Sequence, residues 1–176
     1  MNDGGRSYRY VGPADVKAAV RSGSEGRPIR SGTDFAGWVA ERSAAELAEP
    51  CTFVVGTDGV LRLAPRRSEH VACAAGGPVL SAGEIGFSRE DGCWVVGEVS
   101  NHSTGYCPDT SSWPAVAQAL DRAGLRYPTG FTNQVVFRRC PACRERNIVR
   151  EDDFVCVFCG SELPALWNVD LSGQGP

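Results

Sequence analysis

The chain has 176 residues, of which 42% are hydrophobic and 22% charged, and its formal net charge is −3 at pH 7. This length fits one domain, or one domain with a small added module, and the composition excludes wholesale disorder, collagen-like repeats and a coiled coil. No apolar run approaches the roughly 18 residues that a membrane span needs, and the small negative charge gives no general attraction to nucleic acid or anionic membranes.

The N-terminal part of the chain predicts a tail followed by two helices. Residues 1–9 are rich in Gly and Arg without periodicity, and we expect a disordered tail there. Pro13 opens a short helix that ends near Gly23, since proline favours the start of a helix and glycine its end. Residues 22–32 are predicted to be a loop, and Thr33 to be the N-cap of a second helix with an apolar stripe.

Beyond the predicted helices the hydrophobic period becomes that of strands. Segments over 52–55 and 60–63 flank the turn at 56–59, and segments over 79–87 and 93–100 flank 90–92, so each pair predicts an antiparallel hairpin. Residues 70–74 are predicted to form another strand. A polar loop over 101–112 then precedes a third amphipathic helix, which should end at Gly124.

Cysteine is the most informative residue type, with eight copies in the chain. Four form two CxxC pairs with twelve residues between them, namely Cys140, Cys143, Cys156 and Cys159. The N-terminus lacks the apolar region of a secretory signal. CxxC pairs in a leaderless chain indicate metal binding or redox chemistry rather than a disulfide scaffold, so we expect a reducing, cytoplasmic location.

The two CxxC pairs resemble the ligands of a four-cysteine zinc ribbon, over residues 138–163. Zn²⁺ accepts four thiolates tetrahedrally at about 2.3 Å, and two CxxC turns can close that shell. A closed site has no position left for water or substrate. We therefore predict one structural Zn²⁺ ion, with a dithiol redox pair or another metal as the alternatives.

A second group of chemically active residues precedes the CxxC pairs. We consider a pocket with five candidate catalytic residues: His70, His102, Tyr106, Cys107 and Glu98. A thiol and an imidazole there would make a nucleophile–base pair, which Glu84 or Glu98 would orient or supply with protons. With Cys73, the two histidines and Cys107 could instead hold a second metal ion. The alternative is structural: a hydrogen-bonded His70, small cysteines in the core and a rigid turn at 106–108.

Several short motifs between residues 52 and 125 occur together in a known order. They are Asp58-Gly59, His70, Ala82-Gly83-Glu84 and, in one loop, Ser103, Gly105, Tyr106 and Pro108. This segment resembles a domain of plant IQ-motif-containing calmodulin-binding proteins and similar bacterial segments, which implies a fold unit with a pocket at these loops. Val71-Ala72-Cys73 replaces the Ser-Ser-Phe of that family, and Gly105 replaces its second His. The chain has no IQ motif, so calmodulin binding is not implied.

Together these patterns predict an α+β protein: a mainly antiparallel sheet with N-terminal helices, and a C-terminal zinc ribbon. We expect an α+β body over 10–134, the ribbon over 135–167, and disordered tails over 1–9 and 168–176. The function that we expect is a cytoplasmic binding or adaptor protein for a macromolecular partner. The alternative is a small hydrolase or transferase that uses the pocket around His70, and the sequence leaves open whether the protein is an enzyme.

We expect the partner to be a protein, because the charges near the ribbon nearly balance. Five arginines (Arg138, Arg139, Arg144, Arg146 and Arg150) stand against four acidic residues (Glu145, Glu151, Asp152 and Asp153). That mixture is typical of a solvated surface rather than of a phosphate-binding track, so nucleic acid is less favoured. The sequence indicates no membrane partner and does not specify an oligomeric state.

Overall fold

The computed structural model describes residues 5–170 and confirms an α+β fold. Its main element is a five-stranded antiparallel sheet in the order β1-β3-β2-β4-β5. The strands are β1 (Arg27–Ile29), β2 (Cys51–Gly56), β3 (Leu61–Ala64), β4 (Val79–Glu90) and β5 (Cys93–Val99). The hairpins β2–β3 and β4–β5 agree with the turns predicted at 56–59 and 90–92.

Helices cover both faces of this sheet. On one face α2 (Gly32–Ala40) and α5 (Trp113–Arg122) pack against Phe53 and Val55 of β2. On the other face α1 (Ala14–Ala18) and α4 (His70–Cys73) pack around Val54. Successive side chains of a strand point to opposite faces. Because β2 is covered on both sides, it carries a continuous apolar run rather than an alternating one.

A short helix, α3 (Ala44–Leu47), follows α2 and begins at a capping box. The Ser43 hydroxyl accepts a hydrogen bond from the Glu46 N–H, and the Glu46 carboxylate accepts one from the Ser43 N–H. Ser31, not Thr33, is the N-cap of α2, since its hydroxyl accepts the Asp34 N–H at 3.2 Å.

Two segments differ in type from their prediction. The loop predicted over 22–32 contains strand β1, which pairs with β3. The strand predicted over 70–74 is the helix α4, in which the Ala74 N–H donates to the His70 carbonyl at 2.9 Å. Only Val71 in this segment has the β-branched or aromatic side chain that favours a strand. Left-handed residues at Ala75 and Gly76 then end the helix.

The predicted tails are shorter than expected at their inner ends. Tyr8, in the segment predicted to be disordered, is 1% exposed, and its backbone pairs with Val79 of β4. Val169 is likewise buried. A large aromatic side chain gains enough from burial to order a short segment around it. The remaining parts of the predicted tails, residues 1–4 and 171–176, lie outside the described residues.

The CxxC segment forms a separate two-stranded antiparallel sheet. β6 (Val136–Arg139) leads into the first pair, and β7 (Arg146–Val149) leads away from it. Within residues 5–170, no helix is long and apolar enough to cross a membrane.

Candidate metal centre

The four cysteines of the CxxC pairs converge on one point. The Sγ atoms of Cys140 and Cys159 are 3.6 Å apart, as are those of Cys143 and Cys156, and all four lie within 4.8 Å of one another. Four thiolates around a metal at about 2.3 Å would sit about 3.8 Å apart at tetrahedral angles. The sulfur positions therefore fit a tetrahedral metal ion.

The two CxxC turns have the same backbone geometry. In each turn the residue after the second cysteine donates its N–H to the carbonyl of the first cysteine, at 2.9 Å in both cases. That residue is Arg144 in the first turn and Gly160 in the second, with φ values of 67° and 77°. The turn thus needs a left-handed residue, which glycine adopts without strain and arginine does not.

Hydrogen-bond donors surround the sulfur of Cys156. Desolvation opposes its ionisation, but N–H groups of Cys159 and Phe158 and the Asn147 amide outweigh it and lower the pKa of the thiol to about 6. The buried Asn147 side chain donates to Cys156 Sγ at 3.4 Å and accepts the Val157 N–H at 3.0 Å. Donors to sulfur favour the thiolate, which is the form that binds metal.

The four thiols could fill a tetrahedral coordination shell, which would leave no position for a substrate. Cys140 and Cys156 are buried together with Leu163, whereas Cys159 is exposed. Ser161 Oγ lies 3.3 Å from the sulfur of Cys159 and is the main reason why the pKa of that thiol is lowered. A complete shell of four cysteine ligands is typical of structural metal sites.

A second metal site is not supported by the part of the chain that the structure describes. Over residues 5–170, only the CxxC cysteines gather three or more His, Cys, Asp or Glu ligand atoms. Cys73 is in the core, where its thiol lies 3.7 Å from the Arg62 carbonyl oxygen, and burial raises its pKa to about 12. Cys73 and Cys93 both occupy positions at which we expected small core residues, but Cys93 is exposed.

The predicted catalytic residues fall into two different environments. Tyr106 and Cys107 lie in the interior. The Tyr106 hydroxyl donates to the Gly77 carbonyl at 2.6 Å, and burial raises its pKa. The Cys107 thiol lies 3.4 Å from the Thr104 carbonyl oxygen, and burial raises its pKa to about 11. Both groups are therefore held in the neutral forms that suit a structural position.

His70, His102 and Glu98 lie nearer to solvent. His70 Nε2 donates to the Gly83 carbonyl at 2.8 Å. Desolvation lowers the pKa of His70, and this hydrogen bond and then the charge of Glu84 partly offset that effect. His102 is exposed and close enough for its charge to act on His70. Glu98 lines a small crevice together with Glu84 and a few polar residues. Neither histidine lines this crevice, and neither do Tyr106 and Cys107.

Asn101 joins the body to the two-stranded sheet, and we did not predict this role. Its fully buried side chain donates to the Val135 carbonyl and accepts a hydrogen bond from the Val135 N–H, both at 2.7 Å. The side-chain amide thus satisfies both main-chain groups of Val135, as the backbone of a neighbouring strand would. It also donates to the Pro108 carbonyl at 3.0 Å. A single polar residue in a loop carries no periodic pattern, and therefore nothing in the sequence marks this contact.

No protein-family model, no curated protein and no solved structure matches this chain. The resemblance of residues 52–125 to calmodulin-binding proteins finds no support from these comparisons.

Proposed function

We propose that this protein is a binding or adaptor protein in which one structural Zn²⁺ ion holds a ribbon against a folded body and presents it to a protein partner. The observation that carries the proposal is the closed four-cysteine centre next to exposed apolar side chains. Val157 and Phe158, between the second pair of cysteines, are 77% and 63% exposed.

The donor set supports zinc. Four soft thiolates in a tetrahedral arrangement suit Zn²⁺ or iron. We assign zinc because it has no redox chemistry, so that a bound zinc ion needs no electron donor or acceptor. Reduced thiolates also suit a reducing compartment, so a cytoplasmic location belongs to the same proposal. Elemental analysis of the purified protein should find one zinc per chain, and stoichiometric iron would contradict the assignment.

The exposed surface of the ribbon supports a protein partner. Among the described residues, the exposed large apolar side chains all belong to the ribbon or to the segment after it: Val155, Val157, Phe158 and Leu166. Apolar and aromatic residues that no core uses are typical of the centre of an interface. Without a partner these apolar side chains stay in contact with water, which costs free energy that burial in an interface would recover.

Nucleic acid is less favoured because some arginines are already engaged. Arg138 is buried and donates to main-chain carbonyls, and Arg146 donates to the Val11 carbonyl. The remaining basic side chains of the ribbon face a similar number of acidic ones. A phosphate-binding surface needs several uncompensated cations.

Cross-linking of the metal-loaded protein in its native extract, with mass spectrometry of the cross-linked peptides, tests the proposal. Cross-links from the ribbon to one partner should be lost in the Val157→Ser/Phe158→Ser variant, with metal content unchanged. Arg89→Ser, on the distant β4–β5 hairpin, is the matched control and should keep them. Cross-links that survive the double variant would overturn the proposal, as would salt-sensitive submicromolar binding to nucleic acid.

A small hydrolase or transferase is the second candidate, and the proximity of His70 to Glu84 and His102 favours it. Replacing His102 by Ala should leave the melting temperature unchanged, since the side chain is exposed. Hydrolysis of chromogenic esters by the wild type and not by this variant would support an enzyme. Equal or absent activity in both proteins would count against it.

A further inference from the structure

Residues 162–170 form a strap that runs from the metal centre back to the body. The strap begins beside the cysteines, where the Leu163 N–H donates to the Phe154 carbonyl at 2.8 Å. The Leu163 side chain is buried against Cys140 and Cys156. The position of this first part of the strap therefore depends on the order of the metal centre.

Strand β6 holds the middle of the strap with polar side chains. The buried guanidinium of Arg138 donates to the carbonyls of Pro164 and Ala165, at 3.0 and 2.7 Å. The Asn168 side chain accepts the Arg139 N–H at 2.8 Å and donates to the Arg139 carbonyl at 2.6 Å. The strap is thus fixed to the same strand that leads into the first pair of cysteines.

The end of the strap covers the body. The Trp167 indole N–H donates to the Cys107 carbonyl at 2.8 Å, and its ring packs edge-on against Tyr8 at 5.3 Å between centroids. Arg6 lies over the same ring at 4.7 Å. Val169 is buried beside Cys107. The strap and the N-terminal segment therefore close over one apolar surface.

The loop beneath the strap holds a strained residue. Cys107 has a φ of 47°, a left-handed conformation that non-glycine residues avoid. Such a conformation persists only where the surroundings fix it. Here the Cys107 N–H donates to the Ser103 carbonyl at 2.7 Å, and its own carbonyl accepts the Trp167 indole. Loss of the Trp167 contact would favour relaxation of this loop.

We propose that the metal centre is a switch for this surface: metal removal frees the strap and exposes Cys107, while the body stays folded. A segment as small as the ribbon cannot bury a core of its own, so its folding is coupled to metal binding. The body has an independent core on both faces of its sheet. This switch requires a bound metal ion but is independent of the partner proposed above.

The chain carries the thiols needed to test this switch. The full-length protein, loaded with one equivalent of Zn²⁺, is labelled with N-ethylmaleimide before and after chelation by EDTA, and each cysteine is followed by peptide mass spectrometry. Cys93 is exposed and should react in both states, whereas Cys51 and Cys73 are buried in the body and should stay protected in both. The labelling rate of Cys107 should rise at least tenfold on chelation.

Two outcomes would overturn the switch. If Cys107 stays as protected as Cys51 and Cys73 after chelation, the strap does not depend on the metal. If all three become reactive together, the whole chain unfolds and the exposure is not local.

A variant separates the strap from the metal. Trp167→Phe removes the indole donor to Cys107 and keeps an aromatic ring, so Cys107 should label faster while one zinc per chain is retained. Trp113→Phe, in α5, is the matched control and should label as the wild type does. Unchanged labelling in Trp167→Phe would show that the strap contact does not protect Cys107.

Discussion

The body and the ribbon differ in how much apolar surface they bury, and therefore in what stabilises them. The body buries large apolar side chains on both faces of its sheet, with Phe53 and Leu61 inaccessible to solvent. The ribbon buries few apolar side chains around its cysteines and leaves Val157 and Phe158 exposed. Burial holds the body together, whereas the ribbon, on our proposal, depends on the ligands of a metal ion. The two regions should therefore respond to different perturbations.

The largest effect is expected from removing a metal ligand. Cys140→Ser should release the metal. The ribbon should then lose the folding free energy that metal binding supplies, which is on the order of 10 kcal/mol. Amide hydrogen exchange should show that β6 and β7 lose protection while β2, β3 and β4 keep theirs. Elemental analysis checks the loss of metal.

Cys93→Ser is the control for this experiment, because Cys93 is exposed and far from the centre in sequence. It should retain the metal and the exchange pattern of the wild type. A Cys140→Ser protein that still binds one metal ion and protects β6 would contradict the division into two regions.

The second effect is aimed at the body. Phe53→Ala removes a fully buried ring from the central strand and should lower the free energy of unfolding by about 3–5 kcal/mol. Phe158→Ala, on the exposed face of the ribbon, should change it by less than about 0.5 kcal/mol. Chemical denaturation of the metal-loaded proteins measures both values, and similar losses in the two variants would refute the comparison.

The third effect concerns the contact between the regions. Asn101→Ala leaves the Val135 N–H and carbonyl without their buried partners and should cost about 2–3 kcal/mol. The loss should appear as faster amide exchange at Val135, with the metal retained. His102→Ala, at the next position and exposed, is the control. Unchanged exchange in Asn101→Ala would show that the amide does not join the two regions.

The sequence predicts what is periodic or repeated, and misses what depends on distant contacts. The hairpins follow from short apolar segments on either side of turn residues, and the metal centre from the spacing of the CxxC pairs. The helix at His70–Cys73 was predicted as a strand because its small residues carry weak preferences either way. Tyr8 was assigned to a disordered tail because the contact that buries it, with Trp167, is almost the whole chain away.

The prediction of the candidate site likewise succeeded for local features and not for those that depend on distant contacts. Spacing alone identifies all four thiols, because CxxC turns are local structures. The predicted pocket joined residues by type and proximity in sequence, and Tyr106 and Cys107 instead support the loop from inside. Neither burial nor the direction of a side chain in a loop can be read from one sequence, since both depend on what packs against the loop.

The smallest effect compares the two cysteine turns with each other. Both turns need a left-handed residue, and only one has glycine. Removing that glycine should therefore destabilise the ribbon, whereas introducing glycine in the other turn should stabilise it. Gly160→Ala should destabilise the ribbon by about 1 kcal/mol, because alanine strains in this conformation. Arg144→Gly relieves that strain but makes the unfolded chain more flexible, so the gain should be a few tenths of a kcal/mol. Competition with a chromogenic zinc chelator measures both, as tighter zinc retention in Arg144→Gly and weaker retention in Gly160→Ala. If both substitutions weakened zinc retention, the arginine side chain would contribute something that the strain at its backbone does not describe.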